Sequence, residues 1–128
     1  VYNTALMEAA LAEAGSLRER VLALIRCELQ SIMGGTGEAM AVLVYEWRSL
    51  SEDSQTHILG LRDRYEQLWL TVLEEARAAG YVQSDPFILR RFLTGALSWS
   101  TTWFRPDGPM SLDALAEEAL ALVIRNPA

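Results

Sequence analysis

The stretch GALSWSTTWFRPDG, residues 95–108, decides how this chain is read. No charged residue stands between Phe92 and Phe104, and Trp99 and Trp103 lie one helical turn apart. Its polar residues are small: Ser98, Ser100, Thr101 and Thr102 can bond back to the carbonyls of their own helix and so be buried. Arg105-Pro106-Asp107-Gly108-Pro109 cannot continue a helix and must turn the chain. Upstream, Asp85-Pro86 is a strong helix start, a capping carboxylate followed by a proline whose missing N–H costs nothing there. The spacing therefore predicts a helix from Pro86 to about Phe104 that is apolar on more than one side.

Working outward, the punctuation predicts five more helices. Thr4 to Ala14 carries Leu6, Met7, Ala10, Leu11 and Ala14 along one side, and Gly15 stops it. Ser16 with Glu19 reads as a capping box for a second helix to about Met33, with Val21, Leu22, Ile25, Leu29, Ile32 and Met33 inward. Gly34-Gly35 end it, and Thr36 caps a third helix whose stripe is Met40, Leu43, Val44 and Trp47. Ser51, followed by Glu52 and Asp53, starts a fourth helix with the stripe Ile58, Leu61, Tyr65, Leu68, Trp69, Val72, Leu73 and Ala76, closed by Gly80. After the fifth helix, Ser111 and Asp113 cap a sixth, Leu112 to Arg125. No segment alternates as a half-buried strand does, so the expected fold is an all-α bundle of about six helices in one domain spanning residues 1–128.

Composition agrees. Of 128 residues, 51% are hydrophobic and 22% charged, which suits a globular chain with one core. Every basic residue is Arg, and the net charge of −6 repels a phosphate backbone, so these residues are poor candidates for direct nucleic-acid binding. Cys27 and His57 are the only residues of their kinds, which excludes an internal disulfide and a four-ligand zinc site. The uncharged runs fall short of the roughly 20 residues that span a bilayer, and no signal peptide is visible. The expected setting is cytoplasmic, with no membrane partner. The chain opens on Val1 in helix-like sequence, which suggests a piece of a longer protein.

The last two helices carry more apolar surface than a single bundle can bury. The sixth has one stripe through Leu115, Ala119, Leu122 and Val123 and another through Ala116, Leu120 and Ile124. Either the fifth helix is the centre of a monomer, or the pair meets a second copy in a two-fold, four-helix contact. The second reading is favoured, because leaving both faces wet costs several kcal/mol at roughly 25 cal/mol per Å². Leu93, Ala96, Ser100, Phe104, Leu115, Ala119, Leu122 and Val123 are the expected dimer residues.

From Ser16 to Arg125 the chain resembles the C-terminal regulatory domain of TetR-family transcriptional regulators. The resemblance rests on RYEQLW…VLEEARAAG ending at Gly80, on GALSWSTTWFRPDGPMS, and on the preceding LRERVLALIR…WRSLSED. Regulators of this family begin with a helix-turn-helix unit that these residues do not contain, and Tyr2 to Ala14 is similar in position to the joining helix. The resemblance implies a homodimeric repressor in which a small molecule among the middle helices moves the joining helix and alters operator binding by the N-terminal unit.

Within that frame the expected ligand contacts are Met33, Met40, Val44, Trp47, Tyr65, Trp69, Phe92, Trp99 and Trp103, with Trp99 and Trp103 facing the bundle interior. Aromatics and methionines suit an adaptable apolar cavity, with Tyr65 and the indole nitrogens as polar handles. The expected effector is an apolar or aromatic acid or its CoA thioester. Arg48, Arg90, Arg91 and Arg105 are the nearby cations, each read first as solvated surface or a salt-bridge partner. The chain is not expected to be an enzyme or to hold a cofactor or metal. Its one Cys and one His give a single nucleophile–base combination, and Glu74-Glu75 and Glu117-Glu118 diverge around their helices. The rival reading is a helical protein-interaction dimer with no ligand cavity.

Overall fold

A computed structural model describes residues 2–33, 47–105 and 107–125. Among them are five α-helices: α1 (Tyr2–Glu13), α2 (Leu17–Met33), α3 (Glu52–Ala78), α4 (Pro86–Trp103) and α5 (Leu112–Val123), with a 3₁₀ turn at Trp47–Ser49. The expected third helix lies outside the described residues except for Trp47, so Met40 and Val44 are not placed. No strand occurs among the described residues.

The helix boundaries follow the local chemistry. The Ser16 hydroxyl accepts from the Glu19 N–H at 3.1 Å, while the Glu19 carboxylate takes the Gly15 N–H at 2.7 Å, one residue short of a regular capping box. Ser51 accepts from the Ser54 N–H, Asp85 from Phe87 and Ile88, and Ser111 from Ala114. At the end of α3, Gly80 has φ of 88°, and the N–H groups of Tyr81 and Gly80 reach the carbonyls of Ala76 and Arg77 at 2.9 and 3.0 Å. This pair of bonds is the Schellman closure, and its left-handed residue is why a glycine stands there.

The organising element is α2. It packs against each of the other four helices. Five consecutive residues, Val21 to Ile25, are buried, followed by Glu28 and Leu29. A helix buried at consecutive positions has no wet face along that stretch. Around it close Met7 of α1, Trp69, Val72, Leu73 and Ala76 of α3, Leu93 and Leu97 of α4, and Leu115, Ala116, Leu120 and Val123 of α5. The Arg125 N–H bonds to the Tyr81 carbonyl at 2.9 Å, tying the end of α5 to the α3–α4 turn.

Two sequence expectations are corrected here. The first concerns which side of α4 is buried: α2 is the central helix, and α4 has one buried and one exposed face. Its buried face carries Pro86, Arg90, Leu93, Leu97 and Ser100. Ile88, Phe92, Trp99 and Trp103 lie on the other side, with Phe92 75% and Trp99 65% exposed. Trp99 and Trp103 therefore face outward instead of into the bundle. The reason is phase: Arg90, read as a solvated or salt-bridged cation, is salt-bridged and buried, and it carries Leu93 and Leu97 inward with it. The second correction concerns Leu93, Ser100, Phe104, Leu115 and Val123, which are buried within the protomer itself.

Leu24 and Leu29 are fully buried and Leu122 is 88% exposed. Truncating either core leucine to Ala should therefore cost about 2–5 kcal/mol in urea unfolding. Leu122→Ala should leave the protomer's own stability unchanged within about 0.5 kcal/mol.

Candidate functional site

The chemistry of the described residues gathers where α2, α3 and α4 meet. Arg90 enters this junction from α4 and is 3% exposed. Its Nη1 and Nη2 donate to Glu28 Oε2 and Oε1 at 3.0 and 2.8 Å, a two-pronged contact across helices. The same guanidinium donates through Nε and Nη2 to Glu66 at 3.1 and 2.7 Å. Tyr65 donates its hydroxyl to Glu28 Oε1 at 3.0 Å. The guanidinium carbon also stacks 4.3 Å from the centre of the Trp69 ring and 5.8 Å from that of Tyr65.

Helical spacing builds this cluster. Tyr65, Glu66 and Trp69 share one side of α3 at i, i+1 and i+4, so a cation from α4 meets a phenol, a carboxylate and an indole together. Two carboxylates around one guanidinium leave the junction net negative. Burial works against the Arg90 charge, but the hydrogen bonds and charges of Glu28 and Glu66 outweigh it and hold its pKa above the ordinary value. Burial first, and then the neighbouring Glu28 charge, push the Tyr65 phenol well above its usual range, so it stays neutral and donates. Burial likewise raises the Cys27 thiol, with Arg26 partly opposing, as befits an inert half-buried thiol.

One donor in the junction is left over. Trp69 is fully buried, and its indole N–H leans toward the Tyr65 oxygen without closing a hydrogen bond to any described residue. A buried donor without a well-formed hydrogen bond carries a desolvation penalty of about 1–3 kcal/mol.

The described expected ligand residues divide among three places. Tyr65 and Trp69 stand together in the junction, and Met33 packs against the same core. Trp47 is half-buried in its 3₁₀ turn, where its carbonyl accepts from Gln55 at 2.7 Å. Phe92, Trp99 and Trp103 line the outer face of α4 and do not join that group. Of the four arginines considered, Arg90 belongs to the junction, while Arg91 stacks outside over Phe87 at 4.2 Å. Sequence reasoning missed Glu28 and Glu66. The available signal was Glu28 in line with Val21, Ile25 and Ile32, a carboxylate inside an apolar stripe.

Among the described residues no group of His, Cys, Asp and Glu is placed to hold a metal ion, and no helix is long and apolar enough to cross a membrane.

Comparison with known proteins adds the following. The family model for the tetracyclin repressor-like C-terminal domain matches residues 14–126. Curated relatives are the HTH-type transcriptional repressors KstR2 of Mycobacterium tuberculosis and Rhodococcus jostii. The first is 27% identical over 88 residues, 65% of this chain and 44% of the relative. The second is 26% identical over 109 residues, 77% and 53% respectively. The chain thus spans about half the length of the curated relatives it matches. Among solved structures, superantigen pfit is 67% identical, with a TM-score of 0.91 over 98% of this chain and 68% of that one. AibR, solved with isovaleryl coenzyme A and operator DNA, has the same fold at 19% identity, with a TM-score of 0.69 over 95% of this chain and 69% of that one.

Arg90→Met strands the buried Glu28 carboxylate and should cost about 3–5 kcal/mol in urea unfolding, while Glu28→Leu combined with Arg90→Met should recover much of that loss. A phenol held neutral by the fold stabilises fully below its unfolded pKa of about 10, and this contribution is lost as pH rises beyond it. Melts from about pH 8 to about pH 11 should therefore fall more steeply for the wild type than for Tyr65→Phe.

Proposed function

We propose, because this chain belongs to the tetracyclin repressor-like C-terminal domain family, that it is the effector-sensing and self-pairing part of a transcriptional repressor. The effector is an apolar acid or its CoA thioester. It sits against the α2–α3–α4 junction with Trp69 and Tyr65 as polar handles and Met33 as adaptable apolar wall. The observation that carries this reading is the fully buried Trp69 N–H without an acceptor among the described residues. A carbonyl or thioester oxygen would satisfy it, and the ligand would be worth about 2.7 kcal/mol of stability at a hundred times its Kd. The CoA version draws support from AibR, which was solved with an acyl-CoA.

In the same reading two copies associate through α4 and α5. Ala96, Ala119 and Leu122 remain available for that contact, together with the outward aromatics Phe92, Trp99 and Trp103. Operator contacts would come from protein outside these residues, as the net charge of −6 favours. The ligand acts only through its different affinity for the two arrangements of the pair. The relatives are named as regulators, which supports a binding role over catalysis.

Calorimetric titration with a series of acyl-CoAs of increasing chain length tests the effector. Binding should appear for at least one member and fall at least about tenfold in Trp69→Phe, the loss expected for one well-placed hydrogen bond. The absence of heat at millimolar ligand for the whole series would remove the acyl-CoA version. Sedimentation of the wild type at tens of micromolar should give a dimer; a monomer would remove the self-pairing half.

A further inference from the structure

The α2–α3–α4 junction carries an unbalanced charge. Arg90 supplies one positive charge, and Glu28 and Glu66 supply two negative ones around it. Tyr65 adds none, since its phenol stays protonated and donates to Glu28 Oε1 at 3.0 Å. Among the described residues no second cation pairs with either carboxylate. Arg18, Arg20 and Arg26 of α2 pair with Glu117, Glu75 and Asp113, and Arg91 lies on the other side of α4 over Phe87. The cluster therefore stands at one net negative charge.

Its donors are spent as well. Arg90 directs four hydrogen bonds to the two carboxylates, and the single proton of the Tyr65 hydroxyl goes to Glu28. What remains is the Trp69 indole N–H, uncharged and fully buried, which leans toward the Tyr65 oxygen and closes no hydrogen bond among the described residues. An anionic oxygen pair needs more than this. A buried carboxylate is held by a cation or by several converging donors, whereas one neutral carbonyl is satisfied by one N–H. A further negative charge about 7 Å from that of the cluster, at an effective dielectric of about 20, loses on the order of fiftyfold in affinity. Solvent around Glu66, whose side chain is 44% exposed, screens part of this and leaves at least about tenfold.

We propose that the junction selects its effector by charge: it accepts a neutral carbonyl, that of a thioester or amide, and rejects the free carboxylate of the same acyl chain, with Glu66 as the residue that decides. This selection rests on the effector reading above and narrows it from an apolar acid or its thioester to the thioester. Glu66 decides because of where it stands. Glu28 is buried and met by two prongs of Arg90, while Glu66 is the member that reaches solvent and supplies the excess charge. A carboxylate ligand could bind Arg90 only by taking the place of Glu66. Glu66 holds that place through bonds of 3.1 and 2.7 Å and is tethered to α3, so a free acid competes with a partner at high effective concentration. A neutral carbonyl leaves the ion cluster intact and needs only the Trp69 N–H.

The test titrates the full chain calorimetrically at neutral pH with matched probes of equal acyl length, from butanoyl to dodecanoyl. Each set holds the free acid, its primary amide and its N-acetylcysteamine thioester. The amide has the shape of the acid without its charge, and the thioester lacks the phosphates of CoA. For at least one length, amide and thioester should both bind at least about tenfold more tightly than the acid. In Glu66→Gln, where the cluster is neutral, the amide-to-acid ratio should fall at least about fivefold, and in Glu66→Asp, which keeps the charge, it should stay within about twofold of the wild type. Thermal melts check that the variants fold, and where Glu66→Gln does not, the wild-type amide-to-acid ratio decides alone. An acid that matches its amide in the wild type, or a ratio unchanged in folded Glu66→Gln, overturns the charge selection and leaves the effector reading standing. No binding by any probe of any length overturns both.

Discussion

The described fold depends on one guanidinium. Arg90 is the point at which α2, α3 and α4 are joined by directional bonds, four of them from a single planar group to two carboxylates. Apolar contacts around α2 supply most of the stabilisation, but they are non-directional and tolerate rotation or sliding of a helix. A guanidinium facing Glu28 and Glu66 tolerates neither. A buried ion pair is weak evidence for stability because desolvation offsets most of its attraction. Its consequence here is geometric, since it fixes which face of α4 the protomer sees.

That choice links the two faces of α4. The inner face of α4 holds the polar junction, where the Trp69 N–H closes no hydrogen bond among the described residues, and the outer face holds Phe92, Trp99 and Trp103. Arg90 and Arg91 are adjacent in sequence and point to opposite sides, one to Trp69 and one to Phe87. A rigid helix transmits any displacement of its inner face to its outer face. The hydroxyls do not loosen it: Thr94, Ser100 and Thr101 bond back to the carbonyls of Arg90, Leu97 and Ser98. A ligand that shifted Arg90 would therefore shift the outward aromatics as one body, the mechanical requirement for coupling a pocket to a subunit contact.

The elements were legible in the sequence because their termini are local chemistry. Ser51, Asp85, Ser111 and Gly80 each act through atoms within four residues, so reading them needs no tertiary information. The all-helical class and the family resemblance held for the same reason, since cap spacing and the Trp-rich turn survive without knowledge of packing. The phase of α4 was not legible. Its aromatics outweigh its leucines in apolar area, so area alone turns Trp99 and Trp103 inward. The residue that reverses this is a charged one whose two partners lie 62 and 24 positions earlier in the chain. Glu28 and Arg90 each look misplaced alone and become consistent only as a pair. Trp69 was identified as a core aromatic and candidate contact, but that its N–H closes no hydrogen bond among the described residues depends on three helices together.

The same argument explains why a helix so apolar on both sides needs a charge inside. For α4, burying Ile88, Phe92, Trp99 and Trp103 removes more apolar area from water than burying Leu93 and Leu97, so the hydrophobic term by itself favours the other rotation. Two things oppose it. The slot beside α2 is lined by close-packed residues such as Leu24, Ile25 and Leu29, and indoles placed there would overpack it, at about 1–3 kcal/mol for a few extra methylenes and more for whole rings. Rotation would also carry Arg90 out to water and leave Glu28 buried without its cation, an uncompensated charge costing about 3–5 kcal/mol. The ion cluster thus acts against the alternative fold more than in favour of the native one. It keeps the tryptophans on the surface, the only position from which they can meet another molecule.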